Sequence, residues 1–311
     1  MALLSTFRVV LLVLTSLSQA LPALHARDIS PHQLSEFAFF AQYADAAYCS
    51  NNYDPKSSGA RIRCWDRGCP AIEATNTSIA LAFSNATMTD TAGFIAVDHT
   101  HRRRIISFRG SYSVRNWLAD VMFVFTDPHL CDGCRAELGF WTSWTLIRND
   151  VIQQLEQRQT AYSSYELVLV GYSLGAAVAT LAAADLRSRG YKAALYAYAS
   201  PRVGNEALAQ FITNQGGNYR FTHTNDPIPK LPLLIMDYVH ISPEYHILSG
   251  DNVTVRPQDV AVYEGSVNYA GNTGTGSPSP SPSLRGLSAH RWYFQLVDGC
   301  KERGLPWRRG E

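Results

Sequence analysis

The chain has 311 residues, 46% of them hydrophobic and 17% charged, with a formal net charge of +1. That is a globular composition, long enough for one large α/β domain or two smaller ones. The near-neutral charge gives no argument for nucleic acid or for any other anionic partner.

The opening segment, MALLSTFRVVLLVLTSLSQA, places Arg8 ahead of a short apolar run and small residues at Ser18 and Ala20. It reads as a secretory signal peptide over residues 1–20. The run is too short to span a membrane, so no transmembrane segment is expected. Residues 21–27, LPALHAR, are a candidate propeptide, which leaves 28–311 as a single folded domain.

Ser30 can cap a helix, Pro31 suits its first turn, and Gln33 can complete a capping box. Leu34, Phe37, Ala41, Ala44 and Tyr48 then recur at helical spacing. SIALAFSN, AGFIAVDH and RRIISFRG are short β-rich runs, the last two forming a hairpin or neighbouring strands around HTHR. Phe140, Trp144, Ile147, Val151 and Leu155 mark a long amphipathic helix. After it come a strand, YELVLVGYS, and a helix, LGAAVATLAAADLRSRG, closed by Gly190. KAALYAYAS is a strand, NEALAQFITN a helix and YRFTHTND a further strand. Such alternation predicts a mostly parallel sheet with helices on both faces. Residues 271–283, GNTGTGSPSPSPS, predict an exposed loop rather than a domain boundary, because apolar residues resume at AHRWYFQLVDGC.

Six cysteines fit an oxidising compartment. Cys64/Cys69 and Cys131/Cys134 are close pairs, which leaves Cys49 to join Cys300 across the domain. Zinc is the rival reading of CDGC, but one CxxC without a second pair is weak evidence for a metal. Asn76, Asn85 and Asn252 head Asn-x-Ser/Thr triplets, which are compatible with glycosylation of a secreted chain.

Ser173 lies between Gly171 and Gly175, after a strand and before a helix. It is either a helix cap or the nucleophile of a G-x-S-x-G elbow, and the strand–turn–helix context is what the elbow demands. A serine nucleophile needs a base, and in this fold the partners follow as acid, then histidine. Asp226, where a strand runs into prolines, is the candidate acid, with Asp237, Asp251 and Asp259 as alternatives. His223 precedes its nearest acid. His240, His246 and His290 remain open by order alone. Oxyanion donors are expected at Leu174, which follows the nucleophile, and at Ser111, where the strand IISFRG ends.

FRGS, SVRNWLAD, GYSLG, THTNDPIPKLP, SPEY and AHRWYF, in that order, resemble the fungal class 3 lipase family from about Ser30 to Cys300. THTNDPIPKLP, YVHISPEY and GNTGTG look most like its secreted mono- and diacylglycerol lipases. The resemblance implies an α/β-hydrolase fold with a helical lid and a Ser173–Asp226–His290 triad, which separates His290 from His240 and His246. It also implies Ser111 as the oxyanion residue and the same three cysteine pairs. The elbow departs from the common pattern, reading GYSLGAA where many relatives have GHSLGGA. Residues 301–311 run past the last cysteine of the family with no role assigned.

Val114, Trp117, Leu118 and Val121 have i, i+3, i+4, i+7 spacing, which alone favours an ordinary core-facing helix. Its position just after Ser111 and the family resemblance make it a lid over the site. The expected protein is therefore a secreted, monomeric serine lipase that acts on acylglycerols at a lipid–water interface, with no metal or organic cofactor. A feruloyl esterase or phospholipase on the same scaffold is the rival enzyme; the apolar Trp117/Leu118 face argues against a feruloyl esterase. A non-catalytic lipid-binding protein is the rival from another class, and a complete triad argues against it.

Overall fold

The computed structural model describes residues 29–85, 89–113, 123–275, 287–297 and 300. Among these, the main sheet has eight strands: β1 Thr77–Asn85, β2 Thr91–Asp98, β3 Arg103–Phe108, β4 Glu166–Tyr172, β5 Ala193–Tyr198, β6 Asn218–His223, β7 Glu244–Ile247 and β8 Val260–Tyr263. They lie side by side in chain order. β1, β2 and β3 pair antiparallel, β3 to β7 run parallel, and β8 returns antiparallel on β7.

The central strands are apolar on both faces, as a parallel sheet covered by helices requires. Along β4, Val168 and Val170 point to one layer and Leu167 and Leu169 to the other. Helix α1, Pro31–Ala46, covers the first face through Phe37, Phe40, Ala41 and Ala44. It starts with the expected capping box: Gln33 N–H donates to Ser30 Oγ and Ser30 N–H to Gln33 Oε1. Helices α2, Leu138–Gln157, and α3, Leu174–Ser188, cover the second face, together with α4, Glu206–Gln215. The predicted stripe of α2, from Phe140 to Leu155, is buried. The alanines of α3 are buried too; they present so little side chain that this helix can lie close against β4 and β5.

Two expectations need correction. β6 was expected to continue to Asp226 but ends at His223, because Thr224 has φ +36°, which leaves the β region. The short strands β7 and β8 follow it and extend the sheet. The exposed loop expected over 271–283 fails at its start: Gly271 and Asn272 are buried in a single turn against β7. The cause is polar. Asn272 N–H donates to Glu244, and its side-chain amide donates to the carbonyls of Thr224 and Asp226. Residues 276–283 lie outside the described residues.

Candidate active site

The turn from β4 into α3 holds Ser173 at φ +55° and ψ −126°, a conformation that L-residues rarely adopt. The chain can turn this sharply only because its neighbours lack side chains. A Cβ on Gly171 would lie 2.3 Å from Gly175 O, and one on Gly175 would lie 2.3 Å from Phe108 O. The serine makes no side-chain cap to α3, so the capping role is not the one it plays. Its Oγ lies 3.0 Å from His290 Nε2 instead.

His290 ends a helical turn, Leu287–His290, and its other ring nitrogen meets a carboxylate: Nδ1 is 3.0 Å from Asp226 Oδ1 and 2.9 Å from Oδ2. Ser173, Asp226 and His290 are all at most 1% exposed. The supports around them were not foreseen from the sequence. Ile228 N–H donates to Asp226 Oδ1 at 2.9 Å, and Tyr293 Oη–H donates to Oδ2 at 2.6 Å. Tyr172, the residue before Ser173, donates from its hydroxyl to His290 O. Tyr293 belongs to the run AHRWYFQLVDGC, which the sequence marks only as a return of apolar residues. Its hydroxyl stays protonated because burial and the Asp226 charge raise its pKa well above the ordinary value.

The alternatives are engaged elsewhere. His240 Nε2 lies 2.6 Å from Pro229 O, and His246 Nδ1 lies 2.8 Å from Thr222 Oγ1. Asp237 pairs with Arg135 and Asp259 with Arg256, while Asp251 lies beside His223. Ser111 follows Gly110, where an added Cβ would lie 3.3 Å from Ser173 Cβ, so the end of β3 abuts the elbow. Leu174, directly after Ser173, is the first residue of α3. Val114, Trp117 and Leu118 lie outside the described residues. The six cysteines form Cys49–Cys300, Cys64–Cys69 and Cys131–Cys134, which removes the zinc reading of CDGC. Asn76 is exposed and Asn252 lies in a surface turn; of the Asn85 side chain nothing is described.

Behind Asp226 lies a buried polar chain. Arg220 meets Glu244 at 3.2 Å, Thr222 Oγ–H donates to Glu244 at 2.5 Å, and His246 faces Thr222. Burial is the main force pushing the His246 pKa down, to about 4; burial and then the charges of Arg220 and Arg202 hold that of His240 well below the usual range. Both histidines are thus neutral in the folded protein at pH values where the unfolded chain protonates them. Between about pH 6.5 and 4 the unfolded state binds more protons, so stability falls as pH falls. Each such histidine adds a slope of up to about 1.4 kcal/mol per pH unit. The lowered pKa of Glu244, held down by Arg220 and Thr222 against its burial, adds a further loss below the ordinary carboxylate range. Urea unfolding at stepped pH checks this: His246→Gln should flatten the slope between pH 6.5 and 4, and a parent slope already flat there would contradict it.

A mostly parallel sheet with a strained serine elbow, a histidine and a buried aspartate converging beyond the strand ends defines an α/β-hydrolase. The comparisons make the assignment narrower. A family model described as Lipase (class 3) matches residues 105–236, and one for the Lipase 3 N-terminal region matches residues 7–81. The chain is 55% identical over 306 residues to secreted mono- and diacylglycerol lipase A of Penicillium cyclopium, covering 98% of this chain and 99% of that one. It is 35% identical over 288 residues to secreted mono- and diacylglycerol lipase 1 of Fusarium solani, covering 91% and 83%. The crystal structure of the mono- and diacylglycerol lipase from Aspergillus oryzae superposes with a TM-score of 0.83 at 55% identity, covering 86% of this chain and 99% of that one. The chain belongs to the class 3 lipase family, and it is a carboxylic ester hydrolase.

Proposed function

We propose that this lipase is secreted, works as a monomer and hydrolyses mono- and diacylglycerols at a lipid–water interface. The observation that carries the mechanism is the unbroken line Ser173 Oγ, His290 Nε2, His290 Nδ1, Asp226 at hydrogen-bond distances. Ser173 attacks the ester carbonyl while His290 takes its proton. His290 then passes that proton to the leaving glyceride oxygen, which departs as the alcohol. Water, deprotonated by the same ring, cleaves the acyl-enzyme and releases the fatty acid, and the ring returns the proton to Ser173 Oγ. Asp226 fixes the ring tautomer and offsets the imidazolium charge. The amides of Leu174 and Ser111 receive the oxyanion.

The preference for partial glycerides rests on the relatives at 55% and 35% identity, both named for that activity. Secretion rests on the same names and on residues 1–20. Rates on matched mono-, di- and triacylglycerol emulsions and on methyl ferulate test the substrate. Faster hydrolysis of tri- than of diacylglycerol would overturn it, and turnover of the ferulate alone would favour the feruloyl esterase.

The apolar spacing of Val114, Trp117 and Leu118 supports gating by lipid. Exposing such a face to water costs about 25 cal/mol per Å², a penalty that a lipid surface largely removes, so lipid shifts the population toward an open site. Trp117→Ser should therefore reduce the rate on emulsions more than on dissolved short-chain esters. Rate against substrate concentration through the solubility limit is the measurement. No rise as droplets form, in either protein, would reject gating.

A further inference from the structure

His223 closes β6 and is fully buried, yet both of its ring nitrogens face main-chain carbonyls: Nδ1 lies 2.8 Å from Ala289 O and Nε2 lies 2.7 Å from Ser249 O. A carbonyl oxygen only accepts, and a neutral imidazole carries a single N–H. With a neutral ring, one nitrogen lone pair would point at a carbonyl lone pair at hydrogen-bond distance. The doubly protonated ring makes both contacts favourable.

The surroundings tolerate that charge. Asp251 Oδ1 lies 3.8 Å from Nδ1. Tyr293 packs edge-on with 5.9 Å between ring centroids, and its hydroxyl leads on to the Asp226 carboxylate. His246, on β7, is neutral. Of the cations on neighbouring elements, Arg220 is paired with Glu244, and Lys230 donates to Thr275 O.

The same residue grips both halves of the acid–base pair. Its ring holds the carbonyl of Ala289, immediately before His290. Its own carbonyl accepts from Asp226 N–H at 2.9 Å, and its main-chain N–H reaches the Tyr293 hydroxyl that donates to Asp226. We propose that His223, as an imidazolium, is a positioning residue that sets the alignment of His290 between Asp226 and Ser173. The inference rests on the triad reading above. His223 never touches the reacting atoms. It ties the turn carrying the base to the turn carrying the acid.

The test uses a dissolved short-chain ester, which keeps lipid adsorption out of the rate. His223→Gln keeps one donor and loses the charge. It should lower kcat by roughly 10- to 100-fold, the usual effect of removing a group that orients an imidazole, with KM changed less than about twofold. A purely structural histidine would change stability and leave kcat of the folded variant unchanged.

Nitrogen NMR of the histidine-labelled Ser173→Ala protein reads the ring directly. The expected result at neutral pH is a proton on both ring nitrogens of His223. A single protonated nitrogen there, or unchanged kcat in folded His223→Gln, would overturn the proposal. Activity retained in Ser173→Ala would instead overturn the triad, and the His223 resonances of that protein still report the ring on their own. If His223→Gln fails to fold, the spectrum decides.

Discussion

Ser173→Ala is expected to lose about 10⁶-fold in kcat, and His290→Ala about as much, because the two act as one unit. The double variant should be scarcely worse than either single one. What remains is the rate supplied by substrate binding and the oxyanion donors alone. Asp226→Asn should cost less, on the order of 10⁴-fold, yet the site leaves that variant no good arrangement. Asp226 Oδ1 accepts from Ile228 N–H and Oδ2 from Tyr293 Oη–H, while both oxygens face His290 Nδ1. An amide nitrogen in either position would meet a donor, so the substituted side chain must either lose a support or offer His290 the wrong tautomer. Hydrolysis of a dissolved ester measures all four proteins, with circular dichroism and adsorption to lipid as controls for folding and binding. More than a few per cent of parent activity in folded Ser173→Ala would sink the nucleophile assignment. Normal activity in His290→Ala, with loss in His240→Ala or His246→Ala, would mean that another base serves.

The elbow was legible because every determinant is local. The run LVLVGYSLGAA carries the apolar strand, the two glycines that allow the backbone to pass closely and the small residues that let α3 settle on the sheet. Asp226 and His290 were less so. Chain order alone left three histidines and several carboxylates open, since their meeting depends on where β6 and the final turn end in space. The resemblance singled out His290, and the geometry brings it to Ser173. The strands EYHI and VAVY escaped notice because four residues give too little alternation to read, and β7 is buried throughout. Asn272 was misread for a clearer reason. Its neighbours are Gly, Thr and Ser, a composition that signals solvent, but its buried position comes from amide pairings with Glu244 and the acid turn. Composition reports average polarity and not whether each polar group finds a partner.

Removing the Cys49–Cys300 bridge should cost more stability than removing either short one. The bridge joins residues 251 apart, against separations of 5 for Cys64–Cys69 and 3 for Cys131–Cys134. In the loop-entropy model, restricting the unfolded chain over that length is worth about 5 kcal/mol, against about 2 kcal/mol for the short loops. The bridge also has a catalytic consequence. Cys49 follows α1, while Cys300 follows the small ribbon of residues 292–296 that carries Tyr293 against Asp226. Cutting the bridge leaves that ribbon held by noncovalent contacts alone, such as Gln295 Nε2–H donating to Gly68 O at 2.8 Å. The Cys49→Ala/Cys300→Ala protein should therefore unfold at markedly lower denaturant. It should also lose kcat on a dissolved ester at temperatures where its helices remain intact, because the acid's support loosens before the sheet does. Denaturant unfolding of the three double variants beside the parent decides the ranking. An equal loss for Cys64→Ala/Cys69→Ala would show that packing around the sulfurs, not constraint of the unfolded chain, sets their contribution, and kcat that fails only when the helices melt would separate the bridge from the site.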